Sequence, residues 1–123
     1  MLLFLLSPAK KLDETRTPPF RGDTEPHFLN QSVELIDILK KMSPPDLESL
    51  MKISGNLAVQ NAVRYSNFSV PFTHDNAKEA LFLFNGDAYE ALDAYDLSKD
   101  QIEYLQSHLV MLSGLYGALH PLD

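Results

Sequence analysis

Five consecutive apolar residues, Leu2–Leu6, stand near the start of the chain. A continuous apolar run, unlike an alternating one, predicts a strand buried on both faces. The next stretch, Ser7–Pro26, mixes Pro8, Pro18, Pro19 and Pro26 with threonines and charges and has no period. It is expected to be a long surface loop, and loops of this length in compact domains are usually functional or disordered.

Helical spacing takes over from there. Leu35, Ile38, Leu39 and Met42 recur at i, i+3, i+4 and i+7, which predicts one inward stripe on a helix starting near Asn30. Ser43-Pro44-Pro45-Asp46 ends that helix and starts another, with Ser43 as N-cap, Pro44 at the first position and an acidic residue at the third. Leu47, Leu50 and Met51 make its expected buried face, with Gly55 at its end. Ser54 can cap a third helix carrying Leu57, Asn61 and Arg64 on one face. Thr73 is expected to cap a fourth, with Ala77, Ala80, Leu81 and Phe84 inward and Asn85-Gly86 as its stop. Asp87 with Glu90 forms a capping-box pattern for a short fifth helix, and Ser98 with Gln101 opens a sixth with Ile102, Leu105 and Leu109 inward. The fold class expected is a helix-rich α/β or α+β domain: an N-terminal buried strand, a long loop and about six helices.

The last sixteen residues run from His108 to Asp123 and combine the apolar segment Leu109–Leu112 with Ser113-Gly114-Leu115-Tyr116-Gly117. Four residues do not separate strand from helix by periodicity. If the segment is helical, Gly-Leu-Tyr-Gly resembles the turn of a helix-hairpin-helix, whose glycine N–H groups bond DNA phosphates without reading sequence. If it is a strand, the turn opens a helix whose N-terminus can hold phosphate or carboxylate. The structural alternative is a glycine-permitted turn packed on the core. The apolar end at Pro121-Leu122-Asp123 raises the expectation of a truncated protein.

Composition narrows the classes. The chain has 123 residues and a formal net charge of −7, which disfavours nucleic-acid binding by these residues alone. Cysteine is absent, so thiol nucleophiles, thiolate metal sites and disulfides are excluded, as fits a reducing compartment. No run reaches the ~18–20 apolar residues of a membrane span, and Leu2–Leu6 is too short for a signal-peptide core. No membrane partner is expected, and the cytoplasm is the expected location. The four histidines are scattered, with no His-Glu-x-x-His or Glu-x-x-His spacing, so no metal site is read. No Walker loop or nucleophile elbow occurs, and no catalytic residue is assigned.

Candidate contacts come from position and residue type. Ser7 and Lys10 follow the first strand at its carboxyl end, where open α/β sheets place ligands. Asn61 and Arg64 share a partly apolar helix face, and a guanidinium there suits phosphate or carboxylate, whether from a ligand or from an acid of the chain. Tyr89 and Tyr116 can stack on bases or pack in the core.

Four segments in register carry a family resemblance: Leu6-Ser7-Pro8-Ala9-Lys10-Lys11-Leu12-Asp13, the stretch from Met51 to Tyr65, Phe84-Asn85-Gly86-Asp87-Ala88-Tyr89, and the stretch from Leu112 to Asp123. Together they resemble the YaaA family of peroxide-stress proteins, in which Thr is frequent where this chain has Lys11. The resemblance implies that residues 1–123 are the N-terminal portion of a larger YaaA-like domain, with family members about as long again. It implies a role in the hydroperoxide response that limits iron-driven damage. It also implies sequence-independent binding of double-stranded DNA by the full-length chain. The DNA- or anion-binding set is then Ser7, Lys10, Asn61, Arg64, Ser113, Gly114, Tyr116 and Gly117, with no cofactor. The rival reading is an α/β enzyme that takes an anionic or nucleotide-like small molecule at the same strand-end positions. A helical interaction module is the third.

Overall fold

A computed structural model describes all residues, Met1–Asp123. The element order is β1 (Phe4–Leu6), α1 (Leu29–Leu39), α2 (Pro44–Met51), α3 (Gly55–Asn67), α4 (Ala80–Leu83), α5 (Asp87–Leu92), a single 3-10 turn (Ala94–Asp96), α6 (Lys99–His108), β2 (Leu109–Ser113) and β3 (Gly117–Leu119). Six helices and a small sheet make this an α/β or α+β fold, as the spacing predicts. The chain divides into two compact units, one of Met1–Leu29 with Ala77–Asp123 and one of Asn30–Asn76.

The first unit is built on a three-stranded sheet of order β1-β2-β3. β1 runs parallel to β2, with Phe4, Leu5 and Leu6 opposite Leu109, Val110 and Met111. β3 returns antiparallel, with Met111 opposite Leu119 and Ser113 opposite Gly117. Leu109, Met111 and Leu119 are buried against Leu81, Phe82, Tyr89, Ala94 and Ile102, so the alternation of strand side chains puts one sheet face on the core.

β1 corrects the expectation of a strand buried on both faces, because Leu2, Leu3, Phe4 and Leu5 are all exposed. The strand lies at the sheet edge with β2 as its single neighbour. Only Leu6 of this run packs against the buried cluster.

The loop after β1 has little regular structure but is firmly held. Pro18 and Pro26 are buried. The Arg21 guanidinium meets Glu79 at 3.1 Å, Thr24 Oγ1 donates to Asp123 at 2.7 Å, and Gly22 lies against the Leu122 carbonyl with no room for a Cβ. Pro121 and Asp123 in turn accept the Leu81 and Ala80 N–H groups at the start of α4, both at 2.9 Å, satisfying donors that a helix start leaves open. The fourth helix is therefore shorter and later than expected. Thr73 closes a local turn with Asp75 and Asn76 and caps no helix. Gly86, one residue before the expected Asp87, is the N-cap of α5.

In the second unit α2 packs on α3. The sequence-readable caps are present: Ser43 and Asp46 form a reciprocal capping box on α2, and Ser54 accepts from the Leu57 N–H on α3. α2 ends at Lys52 in the left-handed region, so Gly55 begins the next helix and does not end this one. The buried face of α1 centres on Ser32 and Ile36, leaving Leu35 exposed and Ile38 60% exposed. One residue of offset turns a helix face by about 100°, and that is the difference between the expected stripe and the observed one. Leu47 is buried on α2, whereas Leu50 and Met51, expected beside it, are exposed.

Candidate functional site

The parallel register of β1 and β2 brings both strand ends to one edge of the sheet. β1 continues there into Ser7-Pro8-Ala9-Lys10, and β2 continues into the Ser113–Gly117 turn. This is the edge at which open α/β sheets gather ligands, and it joins two segments that lie about a hundred residues apart in sequence.

The turn itself is a β-hairpin. Leu109–Ser113 is a strand and Gly117–Leu119 pairs back onto it, which corrects the helix-hairpin-helix reading and equally the reading in which the turn opens a helix. The reason lies in burial: Leu119 must return beside Met111 to reach the core, and two extended segments with a glycine-closed turn achieve that. Ser113 organises the turn from within. Its hydroxyl oxygen accepts the N–H of Leu115 at 3.2 Å and of Tyr116 at 3.0 Å, a Ser-type turn that fixes the loop before any ligand arrives.

The two glycines are not equivalent. Gly117 has φ 71, and a Cβ there would sit 2.9 Å from Phe28 Cδ2, so both conformation and space demand glycine. Gly114 is exposed, and nothing lies within 4 Å of its would-be Cβ. Of the two, Gly114 is the one with open space where a side chain would stand. Tyr116 is half-buried and packs against the buried cluster.

The loop after β1 is held by pairing with the segment from Leu83 to Gly86. Leu12 forms a β-bridge with Phe84, the Asp13 N–H donates to Leu83 O at 2.7 Å, and the Asn85 N–H donates to Lys11 O at 3.0 Å. Gly86 faces Ala9, where a Cβ would be 3.3 Å from the Ala9 Cβ. The Tyr89 hydroxyl donates to Ser7 O at 2.5 Å, and burial pushes its phenol above the ordinary tyrosine value. Tyr89 thus anchors the loop from the core and is not exposed for base stacking. Ser7 and Lys10 are exposed. The Lys10 ammonium makes no ion pair, whereas that of Lys11 meets the Glu90 carboxylate at 3.8 Å.

A polar cluster that the sequence reading passed over fixes the far end of the same loop. Asp13 is buried and accepts from Arg16 Nε at 2.6 Å and from the Thr15 N–H at 3.0 Å. The Arg16 guanidinium lies over the Tyr95 ring at 3.8 Å, and Lys78 Nζ donates to Asp13 O at 2.6 Å. The Arg16 hydrogen bond, outweighing the opposing effect of desolvation, holds the Asp13 carboxyl well below the usual carboxylate range. Asp-x-Thr in a proline-rich loop, with its tendency to form an Asx turn, was the available signal.

Asn61 and Arg64 belong to the second unit. On α3 they share a face as the spacing predicts, both half-buried, with Arg64 Nη1 donating to Asn61 Oδ1 at 3.1 Å. No three His, Asp or Glu side chains converge as metal ligands anywhere in the chain. No helix is long and apolar enough to cross a membrane.

The comparisons with known proteins are consistent across almost the whole chain. The family described as "Peroxide stress protein YaaA" matches residues 2–123. A UPF0246 protein of Paracidovorax citrulli is 53% identical over 123 residues, covering 99% of this chain and 48% of the relative. Its counterpart in Hahella chejuensis is 52% identical over 122 residues, with 99% and 48% covered, and one in Alteromonas mediterranea is 49% identical, with 99% and 47% covered. The chain therefore spans about half the length of the curated relatives it matches.

Proposed function

The chain belongs to the YaaA family of peroxide stress proteins, and from that premise we propose that it helps limit iron-driven damage under peroxide stress by engaging duplex DNA through its glycine hairpin. The observation that carries this reading is the contrast at the hairpin. Gly117 is required by the fold, while Gly114 has open space where a side chain would stand, and Lys10, which makes no ion pair, follows β1 at the carboxyl end of the parallel pair. With the Leu115 and Tyr116 N–H groups already donated to Ser113 Oγ, the Gly114 amide and the Lys10 ammonium are the groups that suit a phosphate; they carry no base information, so binding is independent of sequence. Arg64, on the second unit, is a separate candidate for a phosphate contact. With a net charge of −7, these 123 residues oppose a polyanion, and the affinity rests on the added length that relatives carry. The working compartment in this reading is the cytoplasm.

The test is a binding titration of duplex DNA by the chain alone and by a full-length relative across a salt series. The reading expects weak binding by the chain, strong binding by the full-length protein, and a steep fall with salt from counterion release. Equal affinity of the two overturns it.

The same strand-end geometry favours one alternative: an anionic small molecule held between the Ser7–Lys10 loop and the hairpin. A small-molecule site would change little with salt and would raise the melting temperature by mass action.

A further inference from the structure

One face of the sheet is incompletely covered: Leu5 and Leu112 on it are exposed, while Val110 and Ala118 are half-buried. Leu109, Met111 and Leu119 point to the core, so by alternation Leu5, Val110, Leu112 and Ala118 point away from it. Leu5 is 64% exposed and Leu112 45% exposed. Beyond this face, β1 is an edge strand composed of Phe-Leu-Leu and preceded by exposed Leu2 and Leu3. Natural edge strands are blunted by lysine, proline, bulges or a covering segment, and the paired portion of β1 has none of these. All-parallel sheets are almost always covered on both faces; here β1 and β2 are parallel and β3 antiparallel, and the buried residues of α4, α5 and α6 all belong to the cluster on the face of Leu109, Met111 and Leu119.

We infer that this partly exposed apolar face, with the free edge of β1, seats the polypeptide that makes up the other half of a relative's length. Two observations join here. Leu5 and Leu112 are exposed apolar residues on the same face of the sheet, and β1 beside them is an apolar edge strand, which is the profile of an interior strand. The relatives are 48–53% identical over 99% of this chain yet are about twice as long, so a polypeptide of matching evolutionary origin exists to cover it. A strand added to β1 and a helix laid over Leu5 and Leu112 would give this pair the two-sided burial its composition calls for. The inference rests on family membership and is independent of the proposed DNA contact.

The chain lacks cysteine, so thiol labelling reports only the introduced residue here, and any native cysteine of the relative is first replaced by serine. Leu5→Cys and Leu112→Cys are made in this chain and at the aligned positions of the full-length Hahella chejuensis relative, with Lys99→Cys and its aligned counterpart as exposed controls. Maleimide is expected to label Leu5→Cys and Leu112→Cys in this chain at rates close to the control. In the full-length relative the same positions should react on the order of a hundredfold more slowly while the control is unchanged. Equal, fast labelling in both proteins overturns the inference. Protection in this chain alone that grows with its concentration also overturns it, by assigning the face to a second copy. Circular dichroism on each variant shows that the labelled species is folded.

Discussion

The hairpin glycine Gly117 stands directly against the Phe28 ring, with φ 71 and space for no atom beyond its hydrogens. This pairing ties the turn to the end of the long loop and separates two residues that look alike in the sequence. Gly117→Ala is expected to destabilise the chain by about 1–3 kcal/mol through the left-handed backbone and the clash with Phe28. Gly114→Val should leave the melting temperature unchanged and weaken DNA binding by a full-length protein on every sequence alike. Thermal denaturation beside a binding titration checks both. A stability loss at Gly114 without a binding defect in the folded fraction would remove the hairpin from the proposed interface.

Lys10→Ala removes a charge that no carboxylate in the chain pairs with. In the full-length protein it should reduce the slope of log affinity against log salt by about one unit if the ammonium meets a phosphate. Stability should not change. Arg64→Ala should also flatten the slope, but it breaks the hydrogen bond to Asn61, so its melting curve must be read alongside. An unaltered salt slope in both variants sinks the phosphate assignment.

The Asp13 carboxylate makes the fold sensitive to acid in a defined direction. Its folded-state value is depressed below the ordinary 3.8. Its contribution is therefore complete above that value and is lost as pH falls below it. Asp13→Asn should lower the melting temperature at pH 7, and the difference from the unaltered chain should shrink as pH drops below 3.8. A constant gap between the two curves from pH 7 to pH 2 would mean that ionisation of Asp13 contributes nothing.

Fe(II) titrated anaerobically into this chain is expected to give no stoichiometric, sub-micromolar isotherm. The reason is geometric: no three His, Asp or Glu side chains converge, and thiolates are absent. A one-site isotherm would place iron handling on the chain itself.

Gly22→Ala should destabilise by about 1–3 kcal/mol, because the added methyl overlaps the Leu122 carbonyl and backbone cannot step aside as a side-chain tip can. A melting temperature equal to that of the unaltered chain would show that the loop is not pressed against Leu122 in solution.

Short-range chemistry was readable and long-range partnership was not. Ser43, Ser54 and Ser98 cap helices as expected because a cap needs only the next three residues. The exposure of Leu5, Ile38 and Leu50 depends on which surfaces meet them, and an apolar run or stripe contains no such information. The same limit applies at the site. That Ser7 and the hairpin follow the same end of the strand pair comes from the pairing of β1 with β2, which periodicity does not encode. The strand after His108 could not be told from a helix over four residues; what decides it is that Met111 must lie between Leu6 and Leu119.

The pairing of Phe4 with Leu109 also sets an order of events during synthesis. At roughly 5–20 residues per second, β1 leaves the ribosome on the order of 5–20 s before β2 exists to receive it. Throughout that interval Leu2–Leu6 is an apolar segment with no partner, the kind of sequence chaperones bind. Contacts this distant in sequence also slow folding, because loop-closure entropy is lost before any strand pairing compensates it. The second unit, whose α2–α3 pair is local, is free of that delay and can form while β1 still waits.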